Sequence, residues 1–409
     1  MRYSPLPEAT PALRAVLLVY TALLVYGSLY PFDWSPLQAP LFSFLHAGLP
    51  RHFDKGDLVQ NVLVYMPFGL LVAAARGARR QVGGVVLTAM LAGGAVSFAM
   101  ECTQQWLPSR VASLTDVATN VLGSLVGALL AGLVRRDTLS GARVLAWRDA
   151  WFRPGALANV GLATLGLWAL SQTSPLVPSL DIAHLRHGLS LLYRQVLGLE
   201  PVSIDKVAVA LAYLGALGML LRTLVRPERS ALRIFALVLV AVLGCKVLID
   251  GRQLALELVL GAAGAWLLLA LERSVSLRVA AATGIVLLAA GMVVYELTPA
   301  PYAGLQQGFN WIPFLGQMNG LNGFENILEL LWPPMAMACL ARGATPLYRH
   351  DALAVAGGLA VLLLLFALEW MQLSVPGRSA DITQVLLGGA GWIVPWCVRE
   401  PARRPVPRR

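Results

Sequence analysis

Long apolar runs alternate with short polar connections along the whole chain. Twelve runs stand out, at 13–30, 57–75, 82–105, 114–134, 156–171, 204–225, 231–249, 254–272, 279–297, 325–341, 352–373 and 381–397. A hydrocarbon layer of roughly 30 Å is crossed by about 20 helical residues, so each run is read as a membrane span. Backbone amides in lipid must be satisfied within the structure, which leaves helices or a closed barrel. None of the runs shows the apolar-polar alternation of a barrel strand. The expected fold is therefore all-α, a polytopic transmembrane helical bundle.

Composition sharpens this reading. With 57% hydrophobic and 13% charged residues and a mean hydropathy of +0.67, the chain is too apolar for an ordinary soluble domain. Its net charge of +10 would suggest nucleic acid in a soluble protein, but the Lys and Arg residues fall mainly in alternate connections. That asymmetry is an orientation signal, and it predicts that both termini lie in the cytoplasm. Membrane lipids are then the expected partners and nucleic acid is not. The run 13–30 reads as a retained first helix rather than a signal peptide. Cys102, Cys245, Cys339 and Cys397 are widely spaced in or beside apolar runs, so they are expected to pack rather than to form disulfides or bind metal.

The runs group by fours, giving expected units at 11–137, 154–274 and 278–399. A long connection, 31–56, 172–203 or 298–324, separates the first and second helix of each unit. Residues 180–199 place Leu185, Leu189, Leu192 and Val196 at helical spacing, which predicts an amphipathic helix on the outer membrane face. His184 and His187 lie on it without a third metal ligand nearby. The connection 298–324 offers Asn310, Trp311, Pro313, Phe314, Asn319 and Asn322, and its aromatics suit the headgroup region.

The candidate chemistry is a set of polar residues at one end of the spans. In the first unit these are Asn61, Glu101, Gln104, Arg110, Asp116 and Asn120. In the last, Glu369, Gln372 and Arg378 repeat the offsets of Glu101, Gln104 and Arg110, while Asp381 precedes Gly388 as Asp116 precedes Gly123. The middle unit has no counterpart of Glu101. Ionisable groups near a membrane interior are costly and tend to act. The spacing predicts that Arg110 bridges Glu101 and Asp116, that Arg378 bridges Glu369 and Asp381, and that Pro67 kinks the second span. The ten polar residues are expected to bind a ligand in an outward recess, the arginines meeting anionic groups. An intramembrane enzyme using Glu101 or Asp116 as general base is the alternative, and helix-end pairing that only fixes packing is a third. No nucleotide-binding loop, dinucleotide fingerprint, serine elbow or zincin helix occurs, and no cofactor is expected.

The segment Asp57-Leu-Val-Gln-Asn61-Val-Leu-Val-Tyr-Met-Pro67-Phe-Gly69, followed by Glu101-Cys-Thr-Gln104, Arg110 and Asp116-Val-Ala-Thr-Asn120-Val-Leu-Gly123, resembles the VanZ-like family of bacterial membrane proteins. The last unit is similar to a second copy through Asn310, Pro313, Phe314, Asn326, Pro333, Glu369, Gln372, Arg378, Asp381 and Gly388, and departs from the pattern at Val385. The resemblance implies an association with low-level resistance to teicoplanin, a glycopeptide that binds cell-wall precursors outside the membrane. A lipid-linked precursor at that face is the partner this suggests. It brings no catalytic residues with it.

Overall fold

The computed structural model describes residues 11–37, 40–46, 55–76, 81–133, 135, 138–174, 178–249, 251–300, 308–317 and 320–398. Among them the elements are helices: α1 (Pro11–Leu29), α2 (Lys55–Ala75), α3 (Val82–Gln104), α4 (Leu114–Gly132), α5 (Leu139–Trp151), α6 (Ala156–Thr173), α7 (Ile182–Val196), α8 (Ile204–Leu224), α9 (Ala231–Leu248), α10 (Leu256–Leu271), α11 (Leu277–Leu297), α12 (Gly320–Ala344), α13 (His350–Gln372) and α14 (Ile382–Cys397). Only isolated bridges, such as Asn310 with Asp381, represent β pairing among the described residues. Among the described residues seven helices are long and apolar enough to cross a membrane, and α1, α10 and α14 contain shorter apolar stretches. The twelve expected runs fall on α1 to α4, α6 and α8 to α14. The helix α5 was not expected, because its arginines suggested a plain connection; Thr138 Oγ1 starts it by accepting the Gly141 N–H.

The chain divides into two compact units, residues 1–150 and 151–409. In the first, α2 and α4 approach closely because glycines remove the side chains between them. A Cβ on Gly127 would fall 1.9 Å from the Met66 carbonyl oxygen, and one on Gly123 would fall 2.4 Å from that of Val62. Lipid tails are as apolar as leucine, so backbone proximity and polar contacts supply much of what burial supplies in water. The helix α2 continues through Pro67.

In residues 151–409, α8 is enclosed over its second half, with Ala216, Leu217, Met219 and Leu220 fully buried. Close contacts recur there between α8 and α10 and between α12 and α14. A Cβ on Gly261 of α10 would meet that of Ala210 at 2.4 Å, and one on Gly391 of α14 would meet the Leu331 carbonyl oxygen at 2.5 Å. Of the four cysteines, all free thiols, Cys339 is buried, Cys102 is half-buried, and Cys245 and Cys397 are exposed, which corrects the expectation that all of them pack.

The amphipathic helix forms as α7, capped by Asp181, whose side chain accepts the Ala183 N–H. It turns Gly188 and Gln195 toward the body and leaves Leu189 and Val196 exposed. From the connection before α12, Asn310 donates its N–H to Ala380 and accepts from Ile382, while Trp311 is exposed. Asn319 lies outside the described residues, as does the side chain of Asn322.

Candidate functional site

The corner between α3 and α4 shows what the first carboxylate and arginine do. Glu101, 4% exposed, accepts the Ser113 N–H at 2.7 Å. Ser113 is the N-cap of α4, and its own hydroxyl accepts the Thr115 N–H at 3.1 Å. A helix start presents unpaired donors and a partial positive charge, which a carboxylate complements. Arg110 donates from Nε to the Tyr30 carbonyl at 2.9 Å and from Nη2 to that of Gly27 at 3.2 Å. Gln104 donates to the Ser28 carbonyl at 2.8 Å.

Arg110 therefore closes the end of α1 and, among the described residues, forms no ion pair with Glu101 or Asp116, contrary to the expected bridge. The last carbonyls of α1 have no partners within their own helix, and a planar guanidinium can serve two at once. Asp116 instead lies beside Asn61, with Asp57 nearby. Deeper, Asn120 donates to Ser97 Oγ at 2.9 Å.

The corner between α13 and α14 uses the same bonds. Glu369, 1% exposed, accepts the Asp381 N–H. Arg378 donates from Nε to the Thr298 carbonyl at 3.0 Å and from Nη2 to that of Tyr295. Gln372 donates to Glu296 Oε2 at 2.6 Å. In both corners the partners are separated by 12 residues for the glutamate, 76 for the glutamine, and 80 and 83 for the arginine.

Two expectations change as a result. Arg378 does not bridge Glu369 and Asp381; its nearest carboxylate is Glu296, at 3.8 Å. Asp381 is the N-cap of α14 and accepts the Thr383 N–H at 2.8 Å, so it stands where Ser113 stands, not Asp116. The residue three places beyond this cap is Gln384, which donates to Glu296 Oε1 at 2.8 Å.

A third arginine behaves alike. Arg252, in the connection between α9 and α10, donates to the Ser174 carbonyl at the end of α6 at 2.6 Å and pairs with Glu325. Its position just before α10 was the signal that could have found it.

Residues 151–409 also enclose a cavity of about 1090 Å³. Its polar lining includes Lys246, Glu257, Glu296, Glu329, Arg378 and Asp381, and its apolar lining includes Trp168, Leu214 and Trp332. Glu257 is held by Gln195 Nε2 at 2.8 Å and the Ser203 N–H at 3.1 Å. Lys246 Nζ donates to Gln172 Oε1 at 3.1 Å. Of the residues singled out from sequence, Gln372, Arg378 and Asp381 line this space, whereas Glu369 is turned to the α14 start. Asn61, Glu101, Gln104, Arg110, Asp116 and Asn120 belong to the other unit. Sequence reasoning passed over Lys246, Glu296 and Glu329, although each is an ionisable residue inside an apolar run, which is itself the signal.

Such a lining can hold a polar group by hydrogen bonds and an apolar portion by its aromatic and aliphatic side chains. Among the described residues no cluster of three His, Cys, Asp or Glu suited to a metal occurs.

The family model described as VanZ/LLP1 matches residues 17–135. No curated protein and no solved structure matches the chain. The match covers α2, α3 and α4 and both sides of the Glu101 and Arg110 corner, so this N-terminal stretch, less than a third of the chain, is similar to the VanZ-like family.

Proposed function

We propose that this protein binds, and in binding moves or presents, an amphiphilic cell-envelope ligand whose polar head enters the cavity of residues 151–409. The observation that carries the reading is the cavity itself: about 1090 Å³, lined by ionisable and amide groups together with aromatic and aliphatic ones. Ligand sites commonly have this mixture, a largely apolar enclosure with a few convergent polar groups. Ionisable residues at membrane depth are costly to keep without a task.

The charge asymmetry of the connections supports an inner-membrane protein with cytoplasmic termini and a cavity that opens on the outer side. The recurrent arginine caps support a common design for three groups of four helices. A role in the envelope also fits the teicoplanin association that the family resemblance implies.

The test is native mass spectrometry of the full chain released from mild detergent. A bound amphiphile is expected on the wild type and is expected to be lost when Val209→Trp fills the cavity. Equal retention by both would remove the cavity from the account.

A further inference from the structure

Most polar groups around the cavity are already engaged within the protein. Glu257 is bound by Gln195 and Ser203, Glu296 by Gln372 and Gln384, and Arg378 by two carbonyls. Glu329 differs: among the described residues it accepts no hydrogen bond, and it lines the cavity. Gln317, also on the lining, uses its Nε2 to donate to Asn326 at 2.8 Å, while its Oε1 is buried without a partner among the described residues. Asn326 and Glu329 stand three residues apart on α12, so they share a face.

The charges near Glu329 balance. Lys246, Arg252 and Arg378 oppose Glu325, Glu329 and Glu296, with Arg252 paired to Glu325 and Arg378 lying 3.8 Å from Glu296. Lys246 forms no ion pair with Glu329 among the described residues. A phosphate head would find one ammonium whose neighbour is a carboxylate, and an ammonium head would find the reverse. Hydroxyls both donate and accept, so two neighbouring ones suit a carboxylate, an orphan amide oxygen and an ammonium together. Carboxamides Gln172, Gln317 and Asn326 add neutral donors and acceptors to the same lining. Below them Tyr213 and Trp332 meet edge to face, with centroids 5.3 Å apart.

From this we infer that the cavity takes a polyhydroxylated, sugar-type group, with Glu329 and Gln317 Oε1 accepting its hydroxyl protons and Lys246 donating to its oxygens. The inference rests on the amphiphile reading above and names the chemistry of the head. Buried acceptors left unpaired would discriminate strongly against heads that lack donors.

The experiment offers the purified full chain a glucosyl diacylglycerol, phosphatidylglycerol and phosphatidylethanolamine of equal tails, and free maltose, and reads retention by native mass spectrometry. The glucosyl lipid is expected to be retained at least tenfold better than either phospholipid. Glu329→Gln, and separately Gln317→Met, are expected to cut that preference about tenfold, the loss of roughly one hydrogen bond, with the protein still monodisperse. If Glu329→Gln fails to fold, Gln317→Met alone decides. Retention of maltose alone supports the sugar chemistry and overturns the amphiphile reading. A phospholipid held as well as the glucosyl lipid overturns the sugar inference and keeps the amphiphile reading. Retention of none of them overturns both.

Discussion

The corner at Glu101 and Arg110 and the corner at Glu369 and Arg378 make the same hydrogen bonds at the same separations, yet their surroundings differ. In the first, Gln104 ends on a backbone carbonyl; in the second, Gln372 and Gln384 converge on the carboxylate of Glu296, which faces the cavity. The shared part is a folding device. A glutamate receives the start of one helix, and an arginine closes the end of another, which settles backbone groups that lipid could not. In the part not shared, Glu296 is held by Gln372 and Gln384 and Lys246 by Gln172, while Glu329 accepts no hydrogen bond among the described residues. Recurrence alone would have directed attention to the corners, whereas the unmatched polar residues point to the cavity.

The largest effect in breaking this comparison comes from the glycine contacts that hold each unit together. Gly127→Val places a side chain on the Met66 carbonyl, whose oxygen is 1.9 Å from an added Cβ, and Gly391→Val does the same toward Leu331 at 2.5 Å. Overpacking commonly costs about 1–3 kcal/mol and more where backbone must move. Both variants are expected to lose most monodisperse protein in size-exclusion chromatography, Gly127→Val more severely.

Next come the buried glutamates. Glu101→Leu and Glu369→Leu each strip a helix-start N–H of its acceptor, a loss of about 1–3 kcal/mol. The unfolding midpoint in detergent is expected to fall for both, and the corresponding glutamine variants to retain much of it. If only one leucine variant mattered, the equivalence of the corners would fail.

Arg110→Met and Arg378→Met are expected to cost about 1–2 kcal/mol, since each frees two carbonyls. They also sharpen the contrast: Arg378→Met should reduce ligand retention because Arg378 lies on the cavity wall, and paired binding measurements would read that difference.

The smallest effect is expected at the caps. Ser113→Ala should lower stability by roughly 1 kcal/mol. Asp381→Ala should lower it somewhat more, because its carboxylate accepts both the N–H and the hydroxyl of Thr383. Thermal unfolding of the two variants side by side checks the order.

Hydrophobic run length made the helices legible, because a lipid-spanning helix must be apolar over nearly its whole length. The spacing of Glu101, Gln104 and Arg110 against Glu369, Gln372 and Arg378 was legible as recurrence. Its meaning was not, because the carbonyls that Arg110 and Arg378 serve lie 80 and 83 residues upstream and carry no side-chain signature. Asp381 misled for a related reason: its distance to Gly388 imitated that of Asp116 to Gly123, while its true role, capping, is shared with the chemically different Ser113. The cavity was invisible in the sequence, since α8, α11 and α12 must pack before Glu296, Glu329 and Tyr213 face one space.

The most direct test is photo-crosslinking of the full chain in lipid nanodiscs with a glycolipid that carries a diazirine beside its head, followed by peptide mapping. Labels are expected to concentrate on cavity-lining peptides of α8 and α12, around Val209 to Tyr213 and Asn326 to Trp332, and to fall when unlabelled glycolipid competes. Labels that instead cluster around Asn61 and Asp116, or spread without competition over lipid-facing surfaces, would contradict the account.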